Sequence, residues 1–158
     1  YSLLNGEYEW ELMPLGIAQT VGSIIWSPLS AGRLGGKYRR NNPIPADGRV
    51  ARGGSPIPDE ATSYERLYNI MDVLEEVAAE TGHSIAQCAL NWLLQRPTVS
   101  SLIIGASTEE QLKQNLEAVG WNLTPEQIKR LDDVSQVTSI YPYWHQAQFP
   151  FLNAQLQF

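Results

Sequence analysis

The chain has 158 residues, a length suited to one domain of ordinary size. It is 43% hydrophobic and 18% charged, which excludes a disordered or collagen-like chain. The net charge of −6 and pI near 4.9 argue against a general nucleic-acid binder or a polybasic membrane-surface protein, both of which need a basic footprint.

Apolar runs all fall short of the roughly 20 residues that cross a bilayer. The single cysteine, Cys88, excludes an intramolecular disulfide and fits a reducing, cytoplasmic compartment. The opening Tyr1-Ser2-Leu3-Leu4 has no initiator Met and begins in apolar sequence, as a processed or truncated piece would.

Residues 9–20 read as a weak helix. Leu12, Met13 and Ile17 share one face, against the breaking tendency of Pro14 and Gly16. Ser23-Ile24-Ile25-Trp26 reads as a short buried strand ended by Ser27-Pro28. Residues 30–62 form a long irregular stretch rich in Gly and Pro. It carries Arg33, Lys37, Arg39, Arg40, Arg49 and Arg52, six of the eleven cations. Composition leaves two readings of it, a solvated surface loop and an anion-binding lid.

Helix signals then follow closely. Thr62 to Glu65 has the spacing of a capping box, with Leu67, Ile70, Met71, Leu74, Val77 and Ala78 on one face and Gly82 as the left-handed stop. Ser84 and Gln87 repeat the box ahead of Ile85, Cys88, Ala89, Trp92 and Leu93, and Pro97 ends that helix. Leu102-Ile103-Ile104 reads as a second buried strand. Ser107 and Thr108 offer N-caps to a helix lined by Leu112, Leu116 and Val119 and ended by Gly120. Thr124-Pro125 opens a last helix, with Pro at its first position. The tail, 136–158, is aromatic and irregular. Apolar strands alternating with helices imply a parallel sheet covered by helices, and so few strands imply part of an α/β fold.

Two segments carry the chemistry. Each leaves the end of a strand, where α/β folds place ligands. Gly105-Ala106-Ser107-Thr108 opens a helix whose free N–H groups and dipole suit an anion, and an ordinary capped helix is the commoner explanation. Trp26 to Lys37 offers small residues for close backbone approach to a pyrophosphate, with Arg33 or Lys37 to neutralise it. It is neither a P-loop nor a G-x-G-x-x-G turn. His83 reads as a turn residue, His145 as a tail residue and Cys88 as inert core. Glu75-Glu76 and Asp132-Asp133 diverge on their helices and make no catalytic pair. No metal-ligand spacing is present.

In order and spacing, Ile25-Trp26-Ser27-Pro28-Leu29, Gly32, Leu34 and Gly36-Lys37-Tyr38, followed by Ile103-Ile104-Gly105-Ala106-Ser107, Glu110-Gln111-Leu112 and Asn115, resemble the C-terminal half of an aldo-keto reductase. The branch is the one with bacterial reductases and potassium-channel β subunits. The tail Tyr141 to His145 is similar to bacterial members. The resemblance implies that residues 1–158 are the C-terminal half of one (β/α)8 barrel domain: the end of strand six, strands seven and eight, the outer helices and a C-terminal extension. It implies NADPH as hydride donor to a small carbonyl substrate.

On that resemblance Tyr1 stacks on the nicotinamide. Trp26, Ser27, Pro28, Leu29, Ser30 and Ala31 follow the ribose and pyrophosphate. Gly32, Arg33, Leu34 and Lys37 continue the belt, with Arg49 as a clamp. Gly105, Ser107 and Gln111 hold the adenosine 2′-phosphate, and Gln114 and Asn115 the adenine. Gln114 stands where many members carry Glu. Gly105 and Gln111 stand where other branches place cations, which leaves room for NADH. The family's Asp, Tyr, Lys and His tetrad has no counterpart here, so no catalytic residue is assigned. The expected partners are the missing N-terminal half and a further copy in a homo-oligomer, with neither nucleic acid nor membrane. A non-catalytic redox-reporting subunit and an inactive fragment are the alternatives. Severed at strand six, the chain would expose its barrel core and an open sheet edge, and is expected to be marginal alone.

Overall fold

The computed structural model describes residues 1–42, 46, 48–53 and 60–148, with the backbone alone at 60–63 and 147. After a 3-10 turn at Glu7–Glu9 the elements run α1 (Leu12–Gln19), β1 (Ser23–Trp26), a 3-10 segment Ser30–Gly35, α2 (Glu60–Thr81), α3 (Ile85–Leu94), β2 (Val99–Ile103), α4 (Glu109–Leu116), α5 (Pro125–Ser135) and α6 (Tyr143–Ala147). No helix among the described residues is long and apolar enough to cross a membrane.

β1 and β2 pair in parallel, Ser23 against Val99 and Trp26 against Ile103, with an irregularity after Ser23. The Tyr8 hydroxyl ties the two strand starts, 2.7 Å from Ser23 Oγ and 2.6 Å from Thr98 Oγ1. One sheet face packs on helices. Ile25 is buried, and Leu102 and Val99 pack partly against the core of Leu67, Ile70, Met71, Leu74, Cys88, Trp92, Leu93 and Leu131. The other face is open: Ile24, Trp26 and Ile103 are 66%, 76% and 52% exposed. The expectation of strands buried on both faces is therefore corrected. Period-2 alternation sends every second side chain to the face that no element among the described residues covers.

Local signals hold where partners are near in sequence. Both halves of the Ser84–Gln87 capping box form, and Gly82 takes φ +72. Thr124 caps α5 with Pro125 at the first position, and Gln127 completes a second box. Replacing Thr124 by alanine is expected to cost about 1 kcal/mol, lowering Tm by roughly 2–4 °C; a thermal melt with unchanged nucleotide affinity checks it. For α2 the outcome differs. It begins at Glu60, ahead of Thr62, whose side chain lies outside the described residues, and Glu65 turns to Arg40 at 2.8 Å.

Three further expectations are corrected. The weak helix at 9–20 is a 3-10 turn and then α1, and its Leu12 and Ile17 are exposed. Its buried residue is Gly16, where a Cβ would come within 2.9 Å of Thr98 Cγ2 and of the Val21 carbonyl. The second strand starts at Val99 and ends at Ile103, three residues early at its start. The tail holds α6, with Tyr143 packed on Trp10 and its hydroxyl 2.6 Å from Glu11.

Candidate functional site

Parallel pairing sends both strands out at the same edge of the sheet. Trp26 lies against Ile103, so Ser27–Gly36 and Gly105–Asn115 leave from neighbouring positions. The first segment is built from left-handed backbone. Ser27, Ser30 and Ala31 have φ of 57, 48 and 58°, and Gly32 and Gly36 have 87 and 91°. Three non-glycine residues in that region, each costing on the order of 1 kcal/mol, mark a conformation held by its surroundings. The turn is closed by Ser30 N–H to Ser27 O (2.9 Å) and by Gly32 and Leu34 N–H to Leu29 O (3.0 and 3.2 Å). Open space lies above Gly32 and Gly35.

The side chains of this belt divide between solvent and core. Trp26, Gly32 and Lys37 are exposed, and Ser27 and Ala31 are half-buried. Pro28, Ser30, Arg33 and Leu34 are buried, and Leu29 packs partly on the core. Arg33 Nη1 donates to Ser30 O at 3.4 Å, so the guanidinium braces its own turn. Arg39 is bound to Glu75 at 2.6 Å, and Arg40 to Glu65, Asn69 and Asp72. Two cations counted with the loop are thus committed to α2, while Lys37, Arg49 and Arg52 remain exposed.

The second segment caps itself. Thr108 is the N-cap of α4, and its Oγ1 accepts from Gln111 N–H at 3.2 Å. Gln111 Oε1 accepts from Ser107 N–H at 2.9 Å, and Gln114 Nε2 donates to Glu110 at 3.2 Å. Gly105, Ser107, Gln111 and Gln114 are exposed, and Asn115 is half-buried.

The partners of Tyr1 lie outside both segments. Its ring stacks on Tyr8 (4.8 Å) and meets Trp92 (5.5 Å), and its hydroxyl donates to Glu9. Burial first, then that bond, holds the phenol far above its ordinary pKa. Asn5 was passed over as a site residue, yet its Oδ1 accepts from Ser2 and Ser30 Oγ at 3.5 Å, linking the opening turn to the belt. A 25-residue separation carries no spacing signal.

The remaining candidates take structural places. His83 stacks on Trp121 at 3.8 Å, and burial raises the Cys88 thiol pKa. Glu75 and Glu76 diverge to Arg39 and Arg130, and Asp132 and Asp133 to Arg96 and Lys129. A cleft of about 270 Å³ beside Glu9, Arg96 and Asp132, and one of about 480 Å³ beside Gly16, Gly22 and Ser100, both lie away from the belt.

The model of the "Aldo/keto reductase family" matches residues 1–136. A fission-yeast (Schizosaccharomyces pombe) protein named for a voltage-gated potassium channel subunit beta is 34% identical over 146 residues, 87% of this chain and 41% of its own length. The L-glyceraldehyde 3-phosphate reductase of Escherichia coli K12 is 44% identical over 108 residues, 66% of this chain and 30% of its own. The solved glycerol dehydrogenase of Gluconobacter oxydans superposes with a TM-score of 0.69 at 26% identity, covering 90% of this chain and 43% of that one. The chain thus spans well under half the length of these relatives. With the family model covering the belt and α4 together, the chain belongs to the aldo/keto reductase family.

Proposed function

We propose that this chain is the cofactor-holding C-terminal half of a cytoplasmic oxidoreductase that reduces aldehydes and ketones, with NADPH as the donor the family resemblance implies. It would supply the end of strand six, strands seven and eight, the outer helices and the C-terminal extension of a (β/α)8 barrel. The observation that carries this reading is the parallel pairing of β1 with β2, which brings the Ser27–Gly36 belt and the α4 end to one edge.

The belt suits a dinucleotide diphosphate. Ser27, Ser30, Ala31, Gly32, Gly35 and Gly36 are small, five of its residues have left-handed backbone, open space lies above Gly32 and Gly35, and the adjoining Lys37 is an exposed cation. When bound, the nicotinamide supplies hydride. The part of this chain is to hold and orient. The exposed Trp26 ring gives a flat apolar surface beside the strand end, and the turn at Ser30–Gly32, with no side chain at Gly32, allows close approach of a ligand to the main chain. Lys37 and Arg49 supply positive charge. The proton for the carbonyl oxygen must come from the portion of the protein that its relatives have beyond this span. That portion would also cover Ile24, Trp26 and Ile103.

A second reading, a nucleotide-binding redox-reporting subunit, is favoured by relatives named for channel β subunits. Titrating the full-length protein with NADPH while following tryptophan fluorescence tests the shared core of both. Saturable binding is expected, and Trp26→Ala should weaken it about tenfold or more, the size of one lost aromatic stack. Binding with carbonyl-dependent oxidation of NADPH supports the reductase; binding with no turnover of any aldehyde or ketone supports the subunit. No binding overturns both.

A further inference from the structure

One turn of α3 touches both the Ser27–Gly36 belt and α4. We propose that Gln87, in that turn, is a positioning residue that sets the separation of the two segments, so that one dinucleotide can reach both. This rests on the reading that belt and α4 hold a dinucleotide.

The argument begins with what holds α4. None of its eight residues is buried, and its Leu112 and Leu116 are exposed. Among the described residues α3 is the element that it chiefly packs on. Apolar burial within this span does little to place α4, so polar contacts carry the task. Gln87 is 5% exposed and spends its whole amide. Nε2 donates to Gln114 O at 2.9 Å and to Glu117 Oε2 at 3.0 Å, and Oε1 accepts from Ser84 N–H at 2.8 Å. Gln114 O belongs to the last four carbonyls of α4, which a helix leaves without an intrahelical partner, so this bond is a cap supplied by a neighbouring helix. Asn91, one turn along α3, grips Ala118 O and Trp121 O just beyond.

The same turn of α3 meets the belt. Ile85, two residues before Gln87, is buried where the belt ends: a Cβ placed on Gly36 would stand 3.7 Å from Ile85 Cβ. Ile85 and Leu34 belong to one core. The Ser84–Gln87 capping box closes this turn through the Gln87 side chain itself. A ligand that touches both segments gains when their separation is fixed beforehand, because its second contact then needs little further ordering. A ligand that touches one segment gains nothing from it. Gln87, being buried, acts through α4.

The test compares NADPH with adenosine 2′-phosphate, which carries only the end assigned to α4, by calorimetry on the full-length protein. Gln87→Glu keeps the acceptor that closes the α3 box and sets a carboxylate against Gln114 O and Glu117. It is expected to weaken NADPH about tenfold, the upper range for one lost hydrogen bond, and to leave adenosine 2′-phosphate within about threefold. Exchanging the pair, Gln87→Glu with Glu117→Gln, returns a donor to the bridge and should recover NADPH affinity about threefold or more. Thr124→Ala, which lowers stability at α5, should leave NADPH within about twofold. If Gln87→Glu does not fold, Gln87→Met, which keeps the side-chain length and removes the amide, is read by the same criteria. NADPH affinity unmoved by the Gln87 variant overturns the inference and leaves the proposed function standing. So does an equal loss for both ligands, or no recovery in the exchanged pair, since either marks a merely structural role. A parent protein that binds no NADPH removes the proposed function and this inference with it.

Discussion

Replacing Asn91 with leucine should destabilise the fold by about 3–5 kcal/mol. Asn91 is 2% exposed and uses both ends of its amide. Nδ2 donates to Ala118 O and Trp121 O, each at 2.9 Å, and Oδ1 accepts from Leu123 N–H at 3.1 Å and Gln95 Nε2 at 2.6 Å. Leucine has similar volume and matches none of these bonds. Three main-chain groups would lose their partner, each worth roughly 1–3 kcal/mol when left buried. A loss of that size is a large fraction of the 5–15 kcal/mol typical of a domain. Urea unfolding of the full-length protein measures it, with Gln95→Ala as the control, expected within about 1 kcal/mol of the parent. A shift below 1 kcal/mol for the leucine variant would show that Asn91 does not hold the connection between α4 and α5. Because that connection fixes the end of α4, nucleotide affinity should fall along with stability.

Gly32→Val should separate affinity from stability in the opposite way. Gly32 sits at φ +87°, where a β-branched residue is strained by roughly 1–3 kcal/mol. Space is not the obstacle, since a Cβ there meets nothing within 4 Å. The backbone must therefore keep the strain or turn its peptide, and turning it removes the left-handed run from Ser30 to Gly32. Nucleotide affinity is expected to fall about 10- to 100-fold. Ala31→Gly is the converse: relieving a left-handed alanine should raise stability by up to about 1 kcal/mol and keep affinity within a few-fold. If Gly32→Val binds as tightly as the parent, the belt's conformation is not what holds the nucleotide.

The parts of this molecule legible in its sequence are those whose causes lie within a few residues. The Ser84 and Thr124 caps, the Gly82 stop and the long apolar stripe of α2 need only local spacing. The end of β1 was also legible, and that of β2 to within one residue, and with them where the two candidate segments leave the sheet. What escaped depends on distant contacts. Gly16 is buried because Thr98 presses on it, and an apolar-face count gives glycine no weight. β2 begins in Val99-Ser100-Ser101, where two serines follow the valine and the stretch becomes strand by pairing with β1. Arg39 and Arg40 counted as loop cations until α2 supplied Glu75, Glu65 and Asp72. The commitment of Gln111 and Gln114 to Ser107 and Glu110 likewise needed coordinates, because an amide offers a donor and an acceptor and sequence does not say which is spent.

The pairing of Ser23 with Val99 has a consequence for the order of assembly. Seventy-six positions separate the two residues, so their meeting must close a long loop before any ladder bond repays it. The packing of α2 on α3 needs only a short turn and is available from the start. A chain built this way gains its helical layer early and its strand ladder late. The ladder, with α3 packing on both the Ser30–Gly35 segment and α4, makes the belt and the α4 end neighbours. If the chain holds a nucleotide as proposed, binding competence is a late property of folding and an early loss on unfolding, and a bound nucleotide would act as the clasp on the slowest step.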